Sequence, residues 1–151
     1  MKDIHERLSK IKETITNPSF KEGKGLGNEI GFYIFDYEPE YEMLVREYVY
    51  NLKRQIKKEN NNVHIKEFDL YDVMLELLDQ KGYLQKNFEM EKKKGSKYVF
   101  HATEKTLRLT SDKDDNKIVN YISQNTEDDD IVFLTGVGKV WPIIRSHTVL
   151  N

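Results

Sequence analysis

Ile131-Val132-Phe133-Leu134-Thr135-Gly136-Val137-Gly138-Lys139 is the stretch on which the fold class turns. Five consecutive aliphatic, aromatic or β-branched residues, Ile131 to Thr135, predict a strand covered on both faces, the pattern of a parallel sheet. Gly136 and Gly138 predict a tight turn directly behind it, and the stretch carrying Ile143, Ile144, His147 and Leu150 predicts a helix after the turn. A strand that passes through a glycine turn into a helix is a joint of α/β architecture.

Upstream, Ile30 to Tyr37 is aromatic and almost continuously apolar, which predicts a first buried strand. Val63 to Leu70 alternates apolar and polar residues over its first half and reads as a strand nearer a sheet edge. Between them, Pro39 with Glu38 and Glu40 suits the start of a helix. Tyr41, Leu44, Val45, Tyr48, Leu52 and Ile56 then mark one face of that helix to about Lys58. Asp69 is placed to cap a following helix with Val73, Met74, Leu77 and Leu78 as its buried stripe. Gly82 interrupts it, and Tyr83 to Glu91 resumes helical patterning into Lys92-Lys93-Lys94, after which the pattern is mixed up to Leu109. Ser111 to Asp114 resembles a capping box for a helix with Ile118, Val119 and Ile122, closed by the acidic turn Glu127 to Asp130. At the N-terminus, Ile4, Leu8, Ile11 and Ile15 predict a helix from about Asp3 to Thr16, stopped by Asn17-Pro18, and three glycines between Lys21 and Asn28 predict a loop. This order of elements predicts an α/β fold: a short, mostly parallel sheet flanked by helices, with Rossmann-like or P-loop-like layering and no Walker motif. Residues 1–151 are read as one domain, and the strongly apolar last strand leads one to expect a further strand beyond the end of the chain.

Composition narrows the function classes. The 24 Lys and Arg against 26 Asp and Glu leave no global field to draw in nucleic acid, so such binding is possible only through a local patch. The absence of Cys removes thiolate nucleophiles, thiolate metal sites and a disulfide framework. The charged, amphipathic start lacks the apolar core of a signal peptide, and no apolar run is long enough for a membrane span, so a cytoplasmic protein without a membrane partner is expected.

Ligands of open parallel sheets sit beyond the carboxyl ends of the strands. Three such ends follow from the predicted strands: Asp36-Tyr37, Asp69-Leu70 and Thr135 to Lys139. Gly136, Gly138 and Lys139 offer amides and a cation for phosphate, with Arg145 and His147 as further phosphate- or partner-binding candidates. Val140 stands where a Walker A motif needs Ser or Thr, which argues against nucleotide hydrolysis. The same glycines equally describe a tight turn against which Trp141 and Pro142 pack. Arg145 and His147, about 200 degrees apart on a helix, do not easily share one small site. Asp36 and Asp69 could form a strand-end carboxylate pair, or each could cap a helix or turn. His5, His64, His101 and His147 show no i,i+4 pair, so no metal is expected, and no catalytic set or cofactor is discernible. Lys86, Lys92, Lys93, Lys94 and Lys97 with Tyr98 form the densest basic cluster, read either as a solvated helix end or as a phosphate contact.

Taken together, Gly25 to Tyr37, Glu67 to Tyr71 and Val132 to His147 resemble the BREX protein B (BrxB) family, in that order along nearly the whole chain. The resemblance implies a bacterial phage-exclusion system in which protein B accompanies an alkaline-phosphatase-like PglZ protein, a large ATPase and a DNA methyltransferase. It implies a non-catalytic component that binds or bridges such subunits, the PglZ-like protein first, and it carries over no catalytic residue. Family members continue past Ser146 to Asn151 into a segment with a Phe-Pro-Gly element, so the resemblance leads one to expect a chain lacking its C-terminal portion. The alternative is a nucleotide- or nucleic-acid-binding protein that uses the Gly136 to Lys139 turn.

Overall fold

A computed structural model describes residues 3–18, 20, 32–59, 62–80, 82–107 and 116–140. The chain divides into two compact units, Met1–Ile65 with Asp128–Ile131, and Lys66–Glu127 with Val132–Asn151.

In the first unit the spacing of Ile4, Leu8 and Ile15 produces helix α1 (Ile4–Thr16), which buries all three. It ends at Asn17, in the extended conformation forced on a residue that precedes proline. Pro39 opens a single 3-10 turn (Pro39–Tyr41) that leads into α2 (Glu42–Glu59). Pro39 suits that place because its missing N–H would have no helical acceptor there. Acid at the front of α2 (Glu42) and base at its back (Lys57, Lys58) both oppose the helix dipole favourably. Val45, Val49, Leu52 and Ile56, spaced four, three and four apart, form its buried stripe, and α1 packs against it. Each such side chain contributes roughly 1.5–3 kcal/mol on burial. The exposed Lys12–Glu59 pair at 2.8 Å links the two helices at the surface, where solvent screens it.

The buried strand expected at Ile30–Tyr37 is not seen in its described part. Phe32 to Tyr37 forms no strand, and Phe32, Tyr33 and Ile34 are 53%, 62% and 76% exposed. A strand needs a neighbour with unpaired backbone about 4.8 Å away. Among the described residues the sheet has two members, β1 (Ile65–Asp69) and β2 (Ile131–Thr135), which run parallel and pair with each other. The molecule is accordingly mostly helical with a short parallel sheet, and of the layering expected from the sequence this two-stranded sheet is the part observed.

The second unit centres on α3 (Leu70–Gln80), whose Leu70, Val73, Met74 and Leu78 are buried. Around it pack α4 (Tyr83–Lys94), α6 (Lys117–Gln124) and the short α7 (Val137–Val140), while α5 (Ser96–Leu107) packs on α4. Phe68 from β1, Leu107 from α5 and Ile118 from α6 complete the core. Phe68 meets Tyr121 edge-on at 6.2 Å, and the Tyr121 hydroxyl donates to Glu76 Oε2 at 2.8 Å, which raises the phenol's pKa. Helix α5 falls where the sequence pattern is mixed. Val99, Thr103 and Thr106 are β-branched and weak helix formers, so packing of Thr103 and Leu107 rather than propensity supports it. The cap of α6 is Asn116, whose Oδ1 accepts from the N–H groups of Ile118 (3.0 Å) and Val119 (3.1 Å). The expected capping box at Ser111 to Asp114 lies outside the described residues. Among those residues no helix is long and apolar enough to cross a membrane.

Candidate functional site

The carboxyl ends of β1 and β2 meet through side chains of the second unit. Strand β1 runs straight into α3 because Asp69 caps the helix: its Oδ1 accepts from the N–H groups of Tyr71 (2.9 Å) and Asp72 (3.3 Å). Its Oδ2 accepts from Lys139 Nζ at 3.0 Å, and the same ammonium lies 5.7 Å from the centre of the Tyr71 ring. Burial alone would push the Asp69 carboxyl up. The Lys139 ammonium and the two α3 amides outweigh burial and hold it below its ordinary value. Two residues before Asp69 along β1, Glu67 Oε2 accepts from Thr135 Oγ1 at 2.7 Å.

Gly136 takes a left-handed conformation, φ +70°, and a Cβ there would run into the Asp69 carboxylate. Both the backbone and the close approach of Asp69 therefore require glycine. At Gly138 a Cβ would meet open space, so packing does not demand glycine there. The candidate phosphate turn thus brings together Gly136, Gly138, Lys139 and Asp69. Its cation is already engaged by a carboxylate, and an anion entering would have to displace Asp69 from Lys139 against the charge of that carboxylate. Arg145 and His147 lie outside the described residues.

Asp36, expected from the sequence at a strand end, lies in a segment that forms no strand, and it serves the first unit. Arg7 Nη2 donates to the Asp36 carbonyl (2.6 Å) and to its Oδ1 (3.1 Å), and the guanidinium lies 4.6 Å from the Phe35 ring centre. Tyr37 donates to Glu42 Oε2 at 2.6 Å; burial and then that carboxylate push its phenol up to about 12. Phe20 and Tyr33 stack at 5.2 Å. These side chains tether residues 33–37, and they leave Phe32 and Ile34 facing water. Sequence reasoning missed that exposure, because an apolar run looks the same whether it is meant for a core or for another molecule. The pairing of Arg7 with Asp36, 29 residues apart, has no local signal either.

The α4–α5 hairpin carries a groove of about 360 Å³ lined by Lys86, Asn87, Glu89, Met90 and Lys93 of α4 and by Ala102 and Thr106 of α5. Among the described residues no three His, Asp or Glu side chains gather as a metal ligand set.

Comparison with known proteins places these features in a family context. The family model described as BREX protein BrxB matches residues 66–151. A BREX protein BrxB from Bacillus cereus (strain H3081.97) is 60% identical over 151 residues, which is 100% of this chain and 77% of that protein. A BREX protein BrxB from Escherichia coli O9:H4 (strain HS) is 29% identical over 150 residues, 98% of this chain and 70% of that protein. No solved structure matches the chain.

Proposed function

Because this chain belongs to the BREX protein BrxB family, we propose that it serves its phage-exclusion system by binding, as a non-catalytic cytoplasmic component that bridges other subunits, with the PglZ-like protein as first partner. The observation that carries this reading is the exposed apolar run Phe32-Tyr33-Ile34, at 53%, 62% and 76% exposure. Single exposed apolar residues are ordinary, but three in succession on a tethered segment supply the dry, aromatic centre that protein interfaces use. The tethers add to this, since Arg7 on Asp36 and Phe20 on Tyr33 hold neighbouring residues before any partner arrives. Less conformational entropy is then lost on association. The engagement of Lys139 by Asp69 gives the phosphate-binding alternative less support.

The test is co-purification of the chain with the PglZ-like protein, with light scattering of the eluted species. A stoichiometric complex is expected, and replacing both Phe32 and Ile34 by Asp should weaken it about tenfold or more, as loss of a central apolar anchor does. No complex from the folded wild-type chain would refute the bridging role. A complex indifferent to the double substitution would refute the assigned surface.

A further inference from the structure

The tip of the α4–α5 hairpin carries a charge pattern that helix stability alone does not account for. The segment Tyr83 to Leu107 holds six lysines against three glutamates, although acids outnumber bases in the chain as a whole. Four of the lysines, Lys92, Lys93, Lys94 and Lys97, lie within six positions at the turn between the helices, and every residue from Glu91 to Tyr98 is exposed. Lys92, Lys93 and Lys94 are in the last turn of α4, where the negative end of the helix dipole favours cations, so a structural explanation covers them. It does not cover Lys97. That residue lies in the first turn of α5, where the dipole disfavours a cation, and no acid stands in that turn to offset it.

We infer that this tip, Lys92 to Tyr98, is a docking surface for the phosphate backbone of duplex DNA. Gly95, at φ +88°, reverses the chain so that the basic end of α4 adjoins the start of α5. The first amides of α5 have no intrahelical acceptor, as in any α-helix, and an anion bound between them and the lysines answers both. Glu91, the nearest acid, has its Oε1 occupied by the Ser96 hydroxyl at 3.0 Å. Tyr98 is 42% exposed with Lys94 Nζ 4.7 Å from its ring centre, which presents an aromatic face beside the cation. From the tip, Lys93 reaches the groove that it shares with Lys86 and Glu89. The hairpin contains no arginine, hence no planar fork to read a base edge. Binding therefore follows the backbone and is indifferent to sequence. An anionic lipid surface would call for exposed apolar side chains among the lysines, and Tyr98 is the one large apolar residue exposed at the tip. This inference stands apart from the subunit contact proposed for Phe32 to Ile34.

The experiment is fluorescence anisotropy of a labelled 20-base-pair duplex titrated with the full chain over a range of salt concentrations. Wild type should bind with strongly salt-dependent affinity and no preference between unrelated sequences. Replacing Lys93, Lys94 and Lys97 together by Gln should weaken binding at least ~10-fold at low salt and flatten the log–log salt slope by about 3, one unit per lost phosphate contact. Lys97→Gln alone, which relieves the dipole conflict and should fold normally, should flatten it by about 1. Lys139→Gln serves as a control and should bind like wild type. Wild type that fails to bind DNA, a triple variant that binds equally well, or a tip that binds an acidic protein or anionic vesicles while ignoring DNA would each overturn the inference.

Discussion

Phe32-Tyr33-Ile34-Phe35 and Ile131-Val132-Phe133-Leu134 are both runs of aliphatic, aromatic and β-branched residues, yet the first stands outside the sheet and the second lies in a ladder beside β1. The two are stabilised differently. Ile131–Thr135 is held by backbone pairing, by the buried Ile131 and by partly buried Leu134 against the second unit's core. Phe32–Tyr37 is held by tethers: Arg7 on Asp36 and Phe35, Phe20 on Tyr33, and Glu42 on Tyr37. An apolar run states that it must be covered, but not by what. Where the chain supplies a second strand the run becomes scaffold, and where it supplies only anchors the run remains a surface that another molecule can use.

If that contrast is correct, substitutions on the two sides should behave very differently. The largest effect is expected next to the ladder, at Leu70, which is fully buried at the joint of β1 and α3. Leu70→Ala should cost about 3 kcal/mol in urea unfolding, the usual consequence of a cavity in a packed core. Ile34→Ala should stay within ~0.5 kcal/mol of wild type, as surface changes do. Equal costs at the two positions would erase the distinction.

A smaller effect tests the strand-end lock. Asp69→Asn keeps an oxygen to cap α3 but removes the charge facing Lys139, and should cost about 1 kcal/mol or less at neutral pH. The Asp69 carboxyl titrates below its ordinary 3.8 in the folded chain, so its contribution is present above that pH and fades as pH falls through the lowered value. Wild type and variant should therefore converge in unfolding midpoint at strongly acid pH. A gap that persists there would mean that Lys139 does not stabilise Asp69 through charge.

The smallest effect on stability, and the sharpest on local structure, is expected from Arg7→Ala. Global stability should fall by less than about 1 kcal/mol, since the Asp36 side chain of the pair is 93% exposed. Amide hydrogen exchange should nevertheless quicken at residues 33–37 and remain unchanged in β2. Unchanged exchange at 33–37 would show that the remaining aromatic contacts suffice as anchors.

Much of the fold was legible residue by residue. The four-three-four spacing of Ile4, Leu8, Ile11 and Ile15, the Pro39 start and basic end of α2, the capping role of Asp69, the break at Gly82 and the strand at Ile131–Thr135 all follow from local rules that act within a few residues. Family membership was legible for the same reason, because whole motifs survive as ordered strings of residues. Helix α5 was not, since its β-branched residues depend on the core that Leu107 joins for their helical state.

What only the tertiary structure decided concerns partners distant in sequence. It showed that Phe32–Ile34 remains uncovered, that Arg7 holds Asp36, and that Gly136 is glycine because Asp69, 67 residues earlier, occupies the space of its Cβ. It also showed that Lys139 is engaged by that same carboxylate. The physical reason is common to all of them. Period and propensity are properties of neighbours along the chain, whereas exposure, ion pairing and steric exclusion are fixed by whatever the finished fold brings alongside.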